Sequence, residues 1–139
     1  MRIRLFILFI IFTVCALPQQ GFSVVVHKDN PVKSISKALL RKMILGELST
    51  WPGGAKVSVL MGPVGDGART SALQQICGMG ESDFSKHALQ VSFDGGSKSM
   101  PKTLPSTTIV RSVVALTPSG LGIVDGTDAG PGLRILTIE

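Results

Sequence analysis

Two hydrophobic periods alternate along this chain. Phe22 to His27 (FSVVVH) is a short, apolar, β-branched run of the kind that forms a buried strand, and Lys28-Asp29-Asn30-Pro31 turns it. The period then lengthens. Ile35, Leu39 and Met43 stand at i, i+4 and i+8 with Leu40 and Ile44 beside them, one face of a helix that Ser34 or Ser36 caps and Gly46 ends. After the turn Trp51-Pro52-Gly53-Gly54, in which Trp51 is expected to cover the core's edge, Val57 to Met61 is a second β run broken only by Ser58. Gly62, Pro63, Gly65 and Gly67 cannot continue a strand or a helix interior. Beyond them Ala72, Leu73, Ile76 and Cys77 recur at helical spacing until Gly78 and Gly80 stop the helix.

The second half repeats the alternation. Ser82 can cap a short helix with Phe84, Ala88 and Leu89 facing inward, Gln90 to Phe93 reads as a brief strand, and Asp94 to Ser99 is a turn-rich loop. Through Pro101 and Pro105 the chain is expected to stay irregular. Ser106 or Thr107 caps a helix carrying Ile109, Val110, Val113 and Val114, and Thr117-Pro118-Ser119-Gly120 ends it. Leu121 to Val124 is a strand, Asp125 to Gly132 a glycine-rich turn region, and Leu133 to Ile138 a last alternating strand. Strands alternating with helices predict an α/β domain with a mainly parallel sheet flanked by helices. In such sheets ligands sit at the carboxyl ends of strands, near helix N-termini, where the Gly62 to Gly67 loop lies.

The first residues change the picture of the whole. Arg2 and Arg4 precede an apolar run from Leu5 to Leu17 and the polar Pro18-Gln19-Gln20-Gly21, the layout of a secretory signal peptide and too short to span a bilayer. Cleavage can fall after Ala16, or after Ser23, which leads straight into Val24-Val25-Val26. With residues 1–23 as leader, 24–139 form one domain of 116 residues, periplasmic and without a stable membrane span. The net charge of +5 then falls to +3, because Arg2 and Arg4 leave with the leader. No basic run exceeds Arg41-Lys42 and only 5% of residues are aromatic, so no nucleic-acid stripe or stacking platform is visible. Cys77 is the one cysteine left, which rules out an internal disulfide.

The most informative stretch is Val57 to Gly78. A strand feeding a glycine loop and a helix start aims backbone N–H groups at one spot. That makes either an anion site or a well-capped βα unit, with Asp66 as the N-cap. Enzyme chemistry is poorly served elsewhere: Cys77 falls on the buried face of its helix, a small core residue rather than a nucleophile paired with His27 or His87. Two scattered histidines without clustered carboxylates make no metal site. The glycine loop also lacks the Gly-Lys-Ser/Thr ending of a P-loop. The expectation is a non-enzyme without a cofactor.

Four local patterns, in order, resemble the phosphate-binding proteins of ABC importers. Leu40 to Trp51 (LRKMILGELSTW) is similar to their helix end and following Trp, and Val57 to Arg69 falls where they have strand, Arg-Ser-Asp-Gly-Ser-Gly-Thr, and helix. Phe93-Asp94-Gly95 and Thr117-Pro118-Ser119-Gly120-Leu121-Gly122-Ile123-Val124 resemble their Phe-x-Gly and Thr-Pro-Gly-x-Ile-Gly-Tyr-Val. The resemblance spans nearly all of residues 23–138 and implies a single lobe of a periplasmic-binding-protein-like fold, like the small, stand-alone relatives of two-lobed members. It also implies phosphate or a related oxyanion as ligand, with Gly65, Asp66, Gly67, Arg69, Thr70 and Ser71 as the site.

The side chains depart from the motif. Aligning Gly65 and Gly67 with its two glycines puts Gly62 at its arginine, Pro63 at its first serine, Val64 at its aspartate, Asp66 at its second serine and Ala68 at its threonine. A carboxylate at Asp66 would take the N–H groups a phosphate needs and repel it by about 4 kcal/mol per unit charge at 4 Å for an effective dielectric near 20. Arg69, in the first turn, either reaches a bound oxyanion bidentately or stands solvated on the helix's outer face. The alternative function is an envelope protein-interaction module, binding a partner or its own copy, that keeps the fold without the ligand and exposes an apolar face.

Overall fold

The computed structural model describes residues 21–94, 100–126 and 129–139. The expected leader lies outside the described residues up to residue 20, as does the 95–99 part of the turn-rich loop. The chain runs β1 (Ser23–His27), β2 (Ser34–Ile35), α1 (Lys37–Ile44), β3 (Ser58–Met61), α2 (Gly67–Ala72), α3 (Glu81–Phe93), β4 (Lys102–Thr103), α4 (Thr107–Leu116), β5 (Gly120–Val124), β6 (Leu133–Ile135) and β7 (Thr137–Ile138). Five strands form one sheet in the order β4-β3-β5-β1-β6, and β2 pairs with β7 beside it. β3 is parallel to β4 and β5, whereas β1 is antiparallel to both β5 and β6. Four strands therefore point one way and β1, inside the sheet, points the other. A strand buried on both faces reads the same in either direction, so this was invisible in FSVVVH.

The period-2 alternation sorts residues onto two faces. Val24, Val26, Val59, Met61, Leu121 and Ile123 pack on one side with Leu40, Met43 and Ile44 of α1 and Ala68, Ala72 and Leu73 of the α2 region. Val25, Leu60 and Val124 pack on the other against Val110 and Val114 of α4. Gly122 marks where α4 comes closest: a Cβ there would lie 2.9 Å from methyls of both Val110 and Val114. Trp51 is buried over the core, as expected, with its indole N–H donating to Ser119 O at 2.9 Å.

Several local expectations are corrected. Ile35 belongs to β2 rather than to the helix, because Ser36 is the N-cap and its hydroxyl accepts from Leu39 N at 3.2 Å. Gly80, not Ser82, caps α3, which absorbs the strand expected at Gln90 to Phe93. Its buried residues are Phe84 and Val91, two turns apart, while Leu89 is 60% exposed and Phe93 86%. The stretch between Pro101 and Pro105 holds β4, a two-residue edge strand, the one sheet position where flanking prolines cost no ladder bonds. The last strand splits at the buried Leu136 into β6 and β7, which join different sheets.

The fold also reaches further toward the N-terminus than residue 24. Phe22 is 3% exposed within the core, Ser23 pairs with Val124, and the Ser23 hydroxyl donates to Gly126 O.

Candidate functional site

The loop after β3 is shaped by its glycines and by one carboxylate. Pro63 O accepts from Asp66 N at 3.0 Å, and Gly65 sits at φ +89°, a conformation that a side chain strains. Asp66 is extended and caps α2, its Oδ2 accepting from Arg69 N at 3.1 Å. The same carboxylate folds back over Gly62, where a Cβ would stand only 3.2 Å from Asp66 Cγ and Oδ2. Of the two readings of Asp66, the capping one describes its geometry. The N–H groups of Gly67 and Ala68, in the first turn, have no acceptor within the helix. Beyond Ala72 the helix widens into a π-helical turn, Leu73–Cys77, that ends at Gly78 in the left-handed conformation.

Arg69 is not a solvated outer-face residue: it is 4% exposed. Its Nη1 donates to Gly62 O at 3.1 Å and to Thr103 Oγ1 at 2.8 Å, and its Nε donates to Glu81 Oε2 at 3.0 Å. Nη2 closes a bidentate pair with Glu81 Oε1, and the guanidinium lies 5.7 Å from the Phe84 ring centroid. Four of the five guanidinium N–H donors are thus engaged. Arg69 ties together the end of β3, the edge strand β4 and the first turn of α3. Asp66, Arg69 and Glu81 sum to a net charge of −1 around the loop.

The expected site residues therefore divide. Gly65, Asp66 and Gly67 gather at the loop mouth, whereas Arg69 turns inward. Thr70 and Ser71 are half-buried one turn on, and Ser71 Oγ lies against Gly21, within 2.6 Å of where a Cβ on that glycine would be. Gly62 was legible as part of the glycine loop, but Glu81 and Thr103, which also engage Arg69, carried no signal in the sequence because they come from separate elements.

The rest of this sheet edge is likewise internally bonded. Met61 registers with Ile123, so the chain leaving β5 lies beside the loop. There Asp125 Oδ1 accepts from Thr107 Oγ1 at 2.9 Å and pairs with Arg111 Nη1 at 3.4 Å, while Arg111 Nη2 donates to Asp125 O. Cys77 is a buried free thiol whose pKa burial pushes from 9.0 to about 11, with the nearby Arg41 charge opposing. His87 Nε2 meets Leu45 O at 2.8 Å. Among the described residues no three His, Cys, Asp or Glu side chains are grouped to hold a metal ion, and no helix is long and apolar enough to cross a membrane.

No family model matches the chain, and no curated protein matches its sequence. Solved structures do match its fold. A protein of Clostridium perfringens assigned as a phosphate ABC transporter substrate-binding protein, solved with bound phosphate, aligns over 85% of this chain with a TM-score of 0.63 and 19% identity. An ABC-type phosphate transport receptor of Vibrio cholerae aligns over 85% with a TM-score of 0.61 and 16% identity, and PstS of Borrelia burgdorferi over 86% with 0.62 and 18%. The chain covers 44%, 46% and 47% of these proteins, so it spans less than half their length. Its fold is α/β and periplasmic-binding-protein-like, similar to that of phosphate ABC transporter substrate-binding proteins.

Proposed function

We propose that this chain is an exported, periplasmic solute-binding lobe of the phosphate ABC transporter type, released by signal-peptide cleavage. Its ligand edge is the Gly62–Ser71 loop and helix start. The supporting observation is the placement of that unit: a glycine-shaped loop at the carboxyl end of β3, opening α2, in a fold shared with phosphate-binding proteins. A small oxyanion is held there by the first-turn N–H groups of Gly67 and Ala68 beside Gly65, with Thr70 and Ser71 as the hydroxyl donors. Arg69 makes no direct contact with it, because the buried guanidinium faces Glu81, Gly62 O and Thr103 with four of its five N–H donors. With the Asp66 carboxylate beside it, affinity is weak.

A second reading rests on the inward turn of the loop's charges together with the exposed pair Leu89 and Phe93, i and i+4 on α3. In it the chain is an envelope interaction module, engaging a partner or a second copy, and binds no anion.

One experiment separates the two. The melting temperature of residues 17–139, which retain Phe22, is measured with phosphate, sulfate and chloride at matched ionic strength. Ligand at about 100 times its dissociation constant adds roughly 2.7 kcal/mol, a rise on the order of 10 °C for a domain this size. The oxyanion reading predicts a phosphate-selective rise that grows in Asp66→Ser, which keeps a cap and removes the repulsion. No rise in either protein overturns it and leaves the interaction module, tested by sedimentation of the free chain.

A further inference from the structure

A cleft of about 640 Å³ opens between the outer side of α1 and the π-helical turn, lined by none of the loop charges discussed above. Its apolar lining comes from Ala38, Leu45 and Ile76. Its rim carries three cations, Lys37, Arg41 and Lys42, against one acid, Glu47. All three are exposed, and among the described residues none of them forms an ion pair. The helix by itself accounts for only part of the arrangement, because its macrodipole favours Arg41 and Lys42 in the last turn but not Lys37. Lys37 sits in the first turn, which has no acidic residue, where the macrodipole disfavours a cation. Lys37 and Arg41 are also like charges at i, i+4. Three unpaired cations around an apolar floor are complementary to an anionic partner with an apolar anchor.

We propose that this cleft docks an acidic polypeptide segment of a partner protein, its carboxylates on Lys37, Arg41 and Lys42 and an apolar side chain against Leu45 and Ile76. A polypeptide fits better than a membrane surface. Interfacial binding needs protruding apolar side chains beside the cations, whereas Leu45 and Ile76 are buried at the bottom of a concavity. The π-helical turn is a second pointer, since such insertions into α-helices concentrate at functional sites. The assignment stands whether or not the Gly62–Ser71 loop holds an anion.

The test uses the full chain and a fluorescein-labelled peptide of glutamates with a leucine at every fourth position, read by anisotropy. Saturable binding is expected, weakening as salt rises from about 0.05 to about 0.5 M. It should fall at least about tenfold in K37E/R41E/K42E and stay unchanged in K28E/K56E/K102E, which makes the same change of charge on other elements. If the triple reversal fails to fold, K37Q/R41Q/K42Q carries the comparison with a smaller loss. Absence of saturable binding, or equal loss in both triple variants, overturns the proposal. So does binding of phosphatidylglycerol vesicles, sensitive to Lys37, Arg41 and Lys42, without binding of the peptide.

Discussion

Removing the guanidinium of Arg69 tests what holds this sheet edge together. In Arg69→Met the aliphatic stem is replaced at similar volume, but Glu81, Gly62 O and Thr103 Oγ1 each lose a partner. Breaking a buried pair by deleting one member costs about 3–5 kcal/mol, because the charge left behind is unpaired. The Glu81 side chain is 24% exposed and recovers some water, so the low end applies, about 3 kcal/mol. At roughly 4 °C per kcal/mol for a domain of this size, the melting temperature falls by about 12 °C. The decisive comparison is a double-mutant cycle with Glu81→Gln by urea unfolding. Once Arg69 is gone, a neutral amide at 81 is better tolerated than a carboxylate, so the double variant should be more stable than the sum of the singles predicts by about 1–3 kcal/mol. A loss below about 1 kcal/mol in Arg69→Met, or strict additivity, would refute the idea that this pair organises the edge.

Other outcomes follow from the packing. Because Phe22 is buried and Ser23 is paired in β1, cleavage of the proposed leader should leave Leu17 rather than Val24 at the N-terminus, which N-terminal mass spectrometry reads directly. A chain begun at Val24 should lose about 3–5 kcal/mol, the usual cost of deleting a core phenylalanine, and a wild-type melting curve from it would contradict this. Gly122→Ala places a methyl 2.9 Å from Val110 and Val114 and should cost about 1–3 kcal/mol in urea unfolding, an unchanged midpoint being the contrary result. For Cys77 the folded pKa lies above the unfolded one, so its contribution is fully present below pH 9 and is lost as pH rises toward 11. That is roughly 2–3 kcal/mol, and the loss should vanish in Cys77→Ala when stability is followed by denaturant titration across this range.

The candidate site was legible as a place more than as a mechanism. A glycine cluster between a β run and a helical period could be located from residues alone, and so could Asp66 as an N-cap, because a cap bonds an N–H three residues away. Arg69 was beyond such reasoning. Its position in the first turn allowed a ligand contact or a solvated side chain, and neither describes the buried staple that it forms. Which outcome holds depends on Glu81 and Thr103, 12 and 34 residues further on.

The same division runs through the fold. Local chemistry in the sequence determined the strand at Val57 to Met61, the existence of three helices capped at Ser34 or Ser36, at Asp66 and at Ser106 or Thr107, the glycine ends of the first two, and the burial of Trp51 and Cys77. These depend on side-chain period and on hydrogen bonds spanning three or four residues. Tertiary structure alone decided that β1 runs against its neighbours, that Lys102-Thr103 completes a sheet edge, that Gln90 to Phe93 stays helical, and that the loop's arginine faces inward. Each of these turns on which distant segment lies alongside, and a short apolar run or a lone cation looks the same in sequence whichever neighbour it meets.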